Sequence, residues 1–227
     1  MKSILCYGDS NTWGYNPVSG KRHDYENRWT SIMQKKLGDE YLVIPEGLNG
    51  RTTVWEDPIE LHKNGAAYLP PCLESHKPLD LVIIMLGTND LKQRFSLPAV
   101  DIAAGVGVLV DIVKKSGCGP VSPDKNTGNG DGVSSPEVLV LIPPEVRKLS
   151  NFAEMFTGAR EKSLKFPAAY ASMAEERGVS FLDIGRDVRF SDADGIHFEP
   201  DQLLKLGEMI AEKLYILSPS LVPGDSA

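Results

Sequence analysis

The chain has 227 residues, of which 41% are hydrophobic and 24% charged, proportions that are ordinary for a globular protein. Its 24 Lys and Arg against 31 Asp and Glu give a formal net charge of -7, and no run of Lys and Arg is longer than a pair. This balance argues against a nucleic-acid groove or an anionic membrane surface and favours a small, weakly polar or neutral partner. No stretch approaches the ~18 apolar residues of a membrane span.

The length suits one domain, which we expect over residues 1–217, followed by a flexible tail over residues 218–227. The chain has three cysteines, an odd number without metal-ligand spacing, which favours free thiols in a reduced compartment. The apolar run near the first residue is too short for a secretory signal, so the expected location is the cytoplasm.

Five apolar runs of β type recur along the chain, separated by segments long enough to hold helices. The runs cover residues 4–7, 41–44, 79–86, 138–142 and 179–182. Continuous rather than alternating apolar character, most marked in the third run, is typical of strands that are buried on both faces. The pattern predicts an α/β protein with a five-stranded parallel sheet between helices.

Helical spacing of apolar residues predicts four helices, over residues 28–37, 99–115, 161–177 and from Pro200 onward. In the third of these, Pro167 either kinks the helix or marks its first turn. Right-handed crossovers bring the carboxyl ends of all parallel strands to one edge of the sheet. The loops at that edge are where open α/β proteins place their chemistry.

Residues 117–136 are rich in glycine and lack periodicity, which predicts a long mobile loop inserted in the domain. The loop is a lid, a subunit contact or a passive insertion, and a passive insertion is the favoured interpretation. A protein recruited through this loop is a further alternative, supported only by the glycine-rich composition.

The first strand ends at Gly8-Asp9-Ser10, a tight turn that leaves Ser10 at the carboxyl end of the strand. A serine becomes a nucleophile when a base takes its proton and a carboxylate orients that base. His197 lies just before the last predicted helix, three residues after Asp194. A single turn lets Asp194 accept from Nδ1 and leaves Nε2 to face Ser10, although the pair equally suits an ordinary exposed turn.

Other residues compete for these roles. Asp192 is five residues from His197, and a single turn places it less easily beside the ring. The remaining histidines lie among polar or turn residues, where solvated surface positions are expected; they are His23, His62 and His76.

Donors for an oxyanion are found on two further loops. Asn89 follows the most hydrophobic strand and can donate from its amide, whereas Gly50 follows the second strand and can offer an unobstructed N–H. With the N–H of Ser10 they would provide three donors. Asn and Gly are also the commonest turn formers, so each motif alone is more typical of an ordinary turn.

Four short motifs follow different predicted strands: Gly8-Asp9-Ser10-Asn11, Gly47-Leu48-Asn49-Gly50, Gly87-Thr88-Asn89-Asp90 and Asp194-Gly195-Ile196-His197. They resemble blocks I, II, III and V of the SGNH hydrolases, also called GDSL esterases. Residues 51–53, 64–70 and 79–87 are most similar to the bacterial arylesterase and acyltransferase subgroup. The resemblance implies a flavodoxin-like three-layer α/β/α fold and no metal or organic cofactor. It also implies a homo-oligomer, which is an octamer in some members of the subgroup.

The resemblance also assigns roles to residues. It implies that Ser10 is the nucleophile, that Asp194 and His197 complete a triad, and that Ser10, Gly50 and Asn89 form the oxyanion hole. Asn11, which replaces the leucine of the GDSL motif, and Trp13 lie beside the nucleophile and are expected to contact substrate. A packing role is an equal alternative for Trp13.

Together these expectations indicate what the protein does. The leading hypothesis is a serine carboxylesterase that hydrolyses short-acyl and aryl esters of small molecules, with possible acyl transfer to alcohols or peroxide. The alternatives are a carbohydrate O-deacetylase, or a thioesterase or lysophospholipase with the same triad. The non-enzyme alternative is a flavodoxin-like binding module that has lost its activity.

Overall fold

The computed structural model describes residues 1–121 and 134–217 of the chain. Five parallel strands form its sheet: β1 (Lys2–Gly8), β2 (Tyr41–Gly47), β3 (Leu81–Met85), β4 (Glu137–Ile142) and β5 (Ser180–Asp183). Their order is β2-β1-β3-β4-β5. The chain therefore moves to one side of β1 and then crosses to the other, so the loops after β1 and β3 border the crevice in which doubly wound sheets bind ligands.

Helices cover both faces of the sheet, as the sequence predicts. They are α1 (Ser10–Trp13), α2 (Trp29–Leu37), α3 (Gly65–His76), α4 (Ala99–Lys114), α5 (Ala159–Ser163), α6 (Phe166–Arg177) and α7 (Pro200–Leu217). Helices α2 and α7 pack together on one face, whereas α4 packs against α3 and α6 on the other. Within the residues described here, no helix combines the length and apolar character that crossing a membrane requires.

Side chains of β1 alternate between two apolar cores, which accounts for the three layers. Ile4 and Cys6 pack in the core beneath α2 and α7, and Leu5 and Tyr7 pack in the core beneath α3, α4 and α6. All four side chains are fully buried. The continuous apolar character of the strands is therefore a requirement of burial on both faces.

The helices differ from the sequence-based prediction in three places, one of which is the single-turn helix α1, where only a turn was predicted. The helix predicted over residues 161–177 is divided into α5 and α6, and Pro167 lies in the first turn of α6, where its missing N–H costs no hydrogen bond. Helix α3 was not predicted because Pro70 and Pro71 lie in its interior. Its buried side chains, Leu69, Cys72 and Leu73, pack in the core, and this packing overrides the local preference.

The predicted mobile loop lies only partly within the described residues. At its base, the Gly119 N–H donates to the Ser134 carbonyl over 2.8 Å and the Ser134 N–H donates to the Pro120 carbonyl over 3.1 Å. Residues 122–133 and the expected tail over residues 218–227 lie outside the described part of the chain. The role of the loop and the domain boundary at residue 217 therefore stay predictions.

Gly87, two residues after the end of β3, is the basis of a prediction about stability. Its φ is +118°, and a Cβ at this position would overlap the hydroxyl of Tyr170, which donates to the Leu86 carbonyl. We expect Gly87→Ala to lower the free energy of unfolding by about 2–4 kcal/mol, because backbone strain and steric overlap add. Urea unfolding measures the loss.

The matched control for this variant is Gly158→Ala. Gly158 also has a positive φ, of +74°, but no atom lies within 4 Å of the added Cβ. We expect this substitution to cost only about 1 kcal/mol from the backbone conformation. Equal losses in the two variants would show that the contact with Tyr170 does not restrict the loop after β3.

Candidate active site

Ser10 and His197 meet at the carboxyl edge of the sheet. Ser10 is the first residue of α1, and Asp9 caps this helix by accepting from the Asn11 N–H over 2.9 Å. The Oγ of Ser10 lies 2.8 Å from Nε2 of His197, and Nδ1 of His197 lies 2.6 Å from Oδ2 of Asp194. With Nδ1 protonated, the three side chains form one continuous hydrogen-bonded chain, and all three are buried.

The turn from Asp194 to His197 is shaped by the aspartate itself. Its Oδ1 accepts from the N–H groups of Ile196 and His197 over 3.0 and 3.1 Å, which leaves Oδ2 for the imidazole. Gly195 has a φ of +88° and lies against the Lys148 carbonyl, where a side chain would not fit. Burial raises the pKa of Asp194, but the hydrogen bonds from His197 and the backbone outweigh burial and hold that pKa below its ordinary value.

The competing carboxylate, Asp192, lies outside the site. Its Oδ1 pairs with Nε of Arg147 over 2.7 Å at the protein surface. The N–H of Arg147 donates to the Gly195 carbonyl over 2.9 Å, so this pair braces the loop from outside. Asp194, rather than Asp192, is the carboxylate beside His197.

The other three histidines lie away from Ser10, but one expectation about them is wrong. His23 is 5% exposed rather than solvated, and its Nε2 lies 3.4 Å from the Phe198 carbonyl. His62 is exposed, and Nε2 of His76 lies 3.0 Å from Oε1 of Glu46. The polar neighbours of His23 in the sequence do not reveal its burial, because it packs against the distant segment before α7.

The predicted oxyanion donors border the same cavity as Ser10 and His197. Gly50 has a φ of +81°, and its N–H donates to no group within residues 1–121 and 134–217. Nδ2 of Asn89 donates to the Arg51 carbonyl over 3.1 Å. Its second amide hydrogen donates to Oδ2 of Asp9 over 3.4 Å, a long and therefore weak hydrogen bond that an oxyanion would have to replace.

Asn11 and Trp13, the two expected substrate contacts, both interact with other residues of the chain, and their role toward substrate stays a prediction. Nδ2 of Asn11 donates to the Ile196 carbonyl over 3.1 Å, which ties α1 to the loop that carries His197. The ring of Trp13 lies under the Arg22 guanidinium, whose carbon is 4.9 Å from the ring centroid. The cavity beside Ser10 is lined without either residue.

That cavity has a volume of about 240 Å³ and an apolar wall that sequence reasoning missed. The ring of Tyr15 stacks on His197 at a centroid distance of 4.2 Å, and Phe152 meets the imidazole edge-on at 6.1 Å. Met155, Phe156 and Ile196 complete the wall. Residues 143–158 show no helix or strand periodicity, so their apolar side chains carried no signal of a shared surface.

A second wall is polar and charged, and it was also missed. Lys92 is only 2% exposed, and its Nζ lies 2.6 Å from Oε1 of Glu60 and 3.2 Å from Oδ2 of Asp57. Arg94 pairs with the other Asp57 oxygen at 2.8 Å. Burial raises the pKa of Asp57, but hydrogen bonds from backbone N–H groups and Lys92 bring it down to about 2, so this carboxylate stays charged.

Two buried carboxylates lie beneath the site. Burial raises the pKa of Asp9 and of Asp90 to about 6. Asp90 accepts from the Thr53 hydroxyl over 2.6 Å and from the Thr53 N–H over 3.0 Å, which ties the loop after β2 to the loop after β3. These bonds hold the loops that carry Gly50 and Asn89.

Within the described residues, one group of side chains has the composition of a metal site. Ligand atoms of Glu46, Cys72 and His76 lie within 4.8 Å of one another. Burial raises the pKa of the Cys72 thiol to about 12, which keeps it protonated. The group shares no residue with the cavity that contains Ser10.

Comparison with known proteins identifies the family of the chain. The model of the GDSL-like lipase/acylhydrolase family matches residues 6–201. The chain belongs to this family. No curated protein matches the chain.

This GDSL-family hydrolase is similar in sequence and structure to several esterases of known structure. Est24, a carbohydrate acetylesterase from Sinorhizobium meliloti, is 41% identical with a TM-score of 0.87. The M. smegmatis aryl esterase is 39% identical with a TM-score of 0.87. Both alignments cover 96% of this chain and 100% of the other. A putative arylesterase from Agrobacterium tumefaciens is 33% identical over the same shares, with a TM-score of 0.81. The likeness supports a serine esterase.

Asp90 generates a prediction about the pH dependence of stability. Because its pKa is about 6 when folded and 3.8 when unperturbed, the folded state binds the proton more tightly. The contribution of this group to stability is therefore full below about pH 4 and is lost as the pH rises through 6. We expect the stability of the natural protein relative to Asp90→Asn to fall by about 2 kcal/mol between pH 4.5 and 7.5.

Urea unfolding of both proteins at the two pH values provides the measurement. Comparing differences cancels the other titrating groups and any constant cost of the amide. A difference between the two proteins that stays the same at both pH values would show that Asp90 is not titrating in the folded protein.

Proposed function

We propose that the protein is a serine carboxylesterase that hydrolyses short-acyl esters, including aryl esters, through an acyl-enzyme on Ser10. The observation that carries the proposal is the continuous Ser10–His197–Asp194 hydrogen-bonded chain at the wall of a cavity. Similarity to an aryl esterase and a carbohydrate acetylesterase supports the reaction class. The volume of about 240 Å³ favours a small acyl group over a long chain.

In the proposed mechanism the same groups act in both half-reactions, and His197 takes up and returns one proton in each. As Oγ of Ser10 bonds to the ester carbon, Nε2 of His197 takes the hydroxyl proton, and Asp194 stabilises the imidazolium. The carbonyl oxygen becomes an oxyanion that accepts from the N–H groups of Ser10 and Gly50 and from the amide of Asn89. The carbon–oxygen bond to the alcohol then breaks, and His197 returns the proton to the departing alkoxide.

The second half-reaction releases the acid. Water gives a proton to Nε2 of His197 while its oxygen attacks the acyl carbon, and collapse of the second intermediate returns the proton to Oγ of Ser10. An alcohol or peroxide in place of water would give acyl transfer, which product analysis in water–alcohol mixtures tests. Assembly as a homo-oligomer also stays a proposal, which light scattering of the purified protein tests.

A carbohydrate O-deacetylase is the second candidate. The cavity wall carries charged and amide side chains, those of Asn49, Glu60 and Lys92. These side chains suit a hydroxylated alcohol better than they suit an aryl group. The same triad serves both substrates, so the two candidates differ only in the group that leaves. Lysophospholipid hydrolysis requires room for a long acyl chain, whereas thioester hydrolysis differs in the thiol that leaves.

Ser10→Ala tests the proposed nucleophile. We expect the variant to lose activity by about 10⁶-fold in kcat on p-nitrophenyl acetate, to the limit of detection, because no oxygen remains to form the acyl-enzyme. A panel of esters that varies acyl length should show the natural protein to prefer acetate over octanoate. Activity of Ser10→Ala equal to that of the natural protein would refute the mechanism, and inactivity of both would favour the binding-module alternative.

Asn89→Ala tests the oxyanion donor. We expect kcat to fall by about 10²–10³-fold with little change in KM, because the amide interacts most strongly with the charged intermediate. Asn27→Ala is the matched control, since Asn27 is an exposed asparagine outside the cavity. A loss confined to KM would assign Asn89 to ground-state binding instead.

A further inference from the structure

The charged wall of the cavity is not used by the proposed mechanism. Glu60 lies close to the oxyanion donors, because its Oε2 is 2.6 Å from where a Cβ on Gly50 would lie. Its other oxygen, Oε1, is bonded to Lys92. A carboxylate beside the site of a developing negative charge opposes the reaction unless nearby cations balance the charge of that carboxylate.

The charge is balanced within the cluster. Glu60 and Asp57 are paired with Lys92 and Arg94, so two carboxylates face two cations. The cluster as a whole therefore adds no net charge beside the oxyanion. Polar groups can be presented to a ligand here without an electrostatic penalty on the reaction.

Three hydrogen-bonding positions of this wall stay open. Nζ of Lys92 carries three N–H donors, of which Asp57 and Glu60 occupy two. Oε2 of Glu60 accepts no hydrogen bond from the described residues. Oδ1 of Asn49 is buried without a partner, although buried carbonyl oxygens are nearly always bonded. Asn49, Glu60 and Lys92 all border the cavity that contains Ser10.

A cavity wall that offers one donor and two acceptors suits neighbouring hydroxyl groups, since each hydroxyl both donates and accepts. Resting on the proposed esterase function, we propose that Asn49, Glu60 and Lys92 form a subsite for hydroxyl groups on the alcohol part of the ester. The alcohol part is chosen because a short acyl group such as acetyl has no hydroxyl. The preferred substrates are then acyl esters of polyols or sugars.

The test compares two esters that differ only in hydroxyl groups: 2,3-dihydroxypropyl acetate and propyl acetate. We expect the natural protein to give a kcat/KM at least about tenfold higher for the dihydroxy ester, the size of effect that one or two hydrogen bonds to charged groups produce. In Glu60→Gln, which loses the charge and one acceptor, this preference should fall severalfold. A pH-stat records both reactions from the acid released.

Two further variants separate the subsite from other effects. Asn49→Ala leaves the ion pairs intact and should also lower the preference, so the test stands even if Glu60→Gln weakens the fold. Glu154→Gln removes the same charge from an exposed position outside the cavity and should keep the preference.

The outcomes distinguish the two proposals. If the natural protein hydrolyses both esters equally well, or if Glu60→Gln and Asn49→Ala keep the preference, the subsite is overturned and the esterase function stands. If the natural protein hydrolyses neither ester and also fails on p-nitrophenyl acetate, the esterase function itself is overturned, and the subsite with it.

Discussion

The hydrogen bond between Ser10 and His197 joins two residues that are 187 positions apart in the chain. It forms because β1 delivers Ser10 to the carboxyl edge of the sheet and a tight turn before α7 delivers His197 to the same edge. Asn11 adds a second link between these segments through the Ile196 carbonyl. The geometry of the site therefore depends on how the edges of distant elements are held together.

A buried polar layer beneath the site provides that hold. The Arg51 guanidinium donates to the Gly8 carbonyl over 2.9 Å and lies 4.1 Å from the centroid of the Tyr7 ring. The backbone carbonyl of Arg51 accepts a hydrogen bond from the side chain of Asn89. Asp90 ties Thr53 to the neighbouring loop. Buried polar groups of this kind specify one arrangement of loops, because any other arrangement leaves them unpartnered.

Much of this arrangement is predictable from sequence, for identifiable physical reasons. Burial on both faces requires continuous apolar runs, so the sequence predicts all five strands. It does not predict α3, because Pro70 and Pro71 disfavour a helix at that position. The three-residue spacing of Asp194 and His197 predicts a carboxylate–imidazole hydrogen bond, because a single turn is enough to bring the two side chains together. Glu60 and Lys92 gave no signal, because a charged residue in a loop is usually solvated and its burial depends on tertiary contacts.

The positions of the aromatic residues in the site also depend on tertiary contacts that the sequence does not reveal. Trp13 was expected at the substrate because it lies close to Ser10 in sequence, yet Tyr15 is the ring that stacks on His197. Phe152 reaches the imidazole from a segment without periodic structure. Residue proximity along the chain does not determine which side of a short helix faces the cavity.

Covalent labelling tests the central claim, that Ser10 is a nucleophile activated by His197. Diethyl p-nitrophenyl phosphate should form a bond from Oγ of Ser10 to phosphorus and release p-nitrophenolate. We expect one diethylphosphoryl group per chain, located at Ser10 by peptide mass spectrometry and accumulating in step with the loss of esterase activity. Loss of activity with the label on another residue, or with no label, would contradict the account.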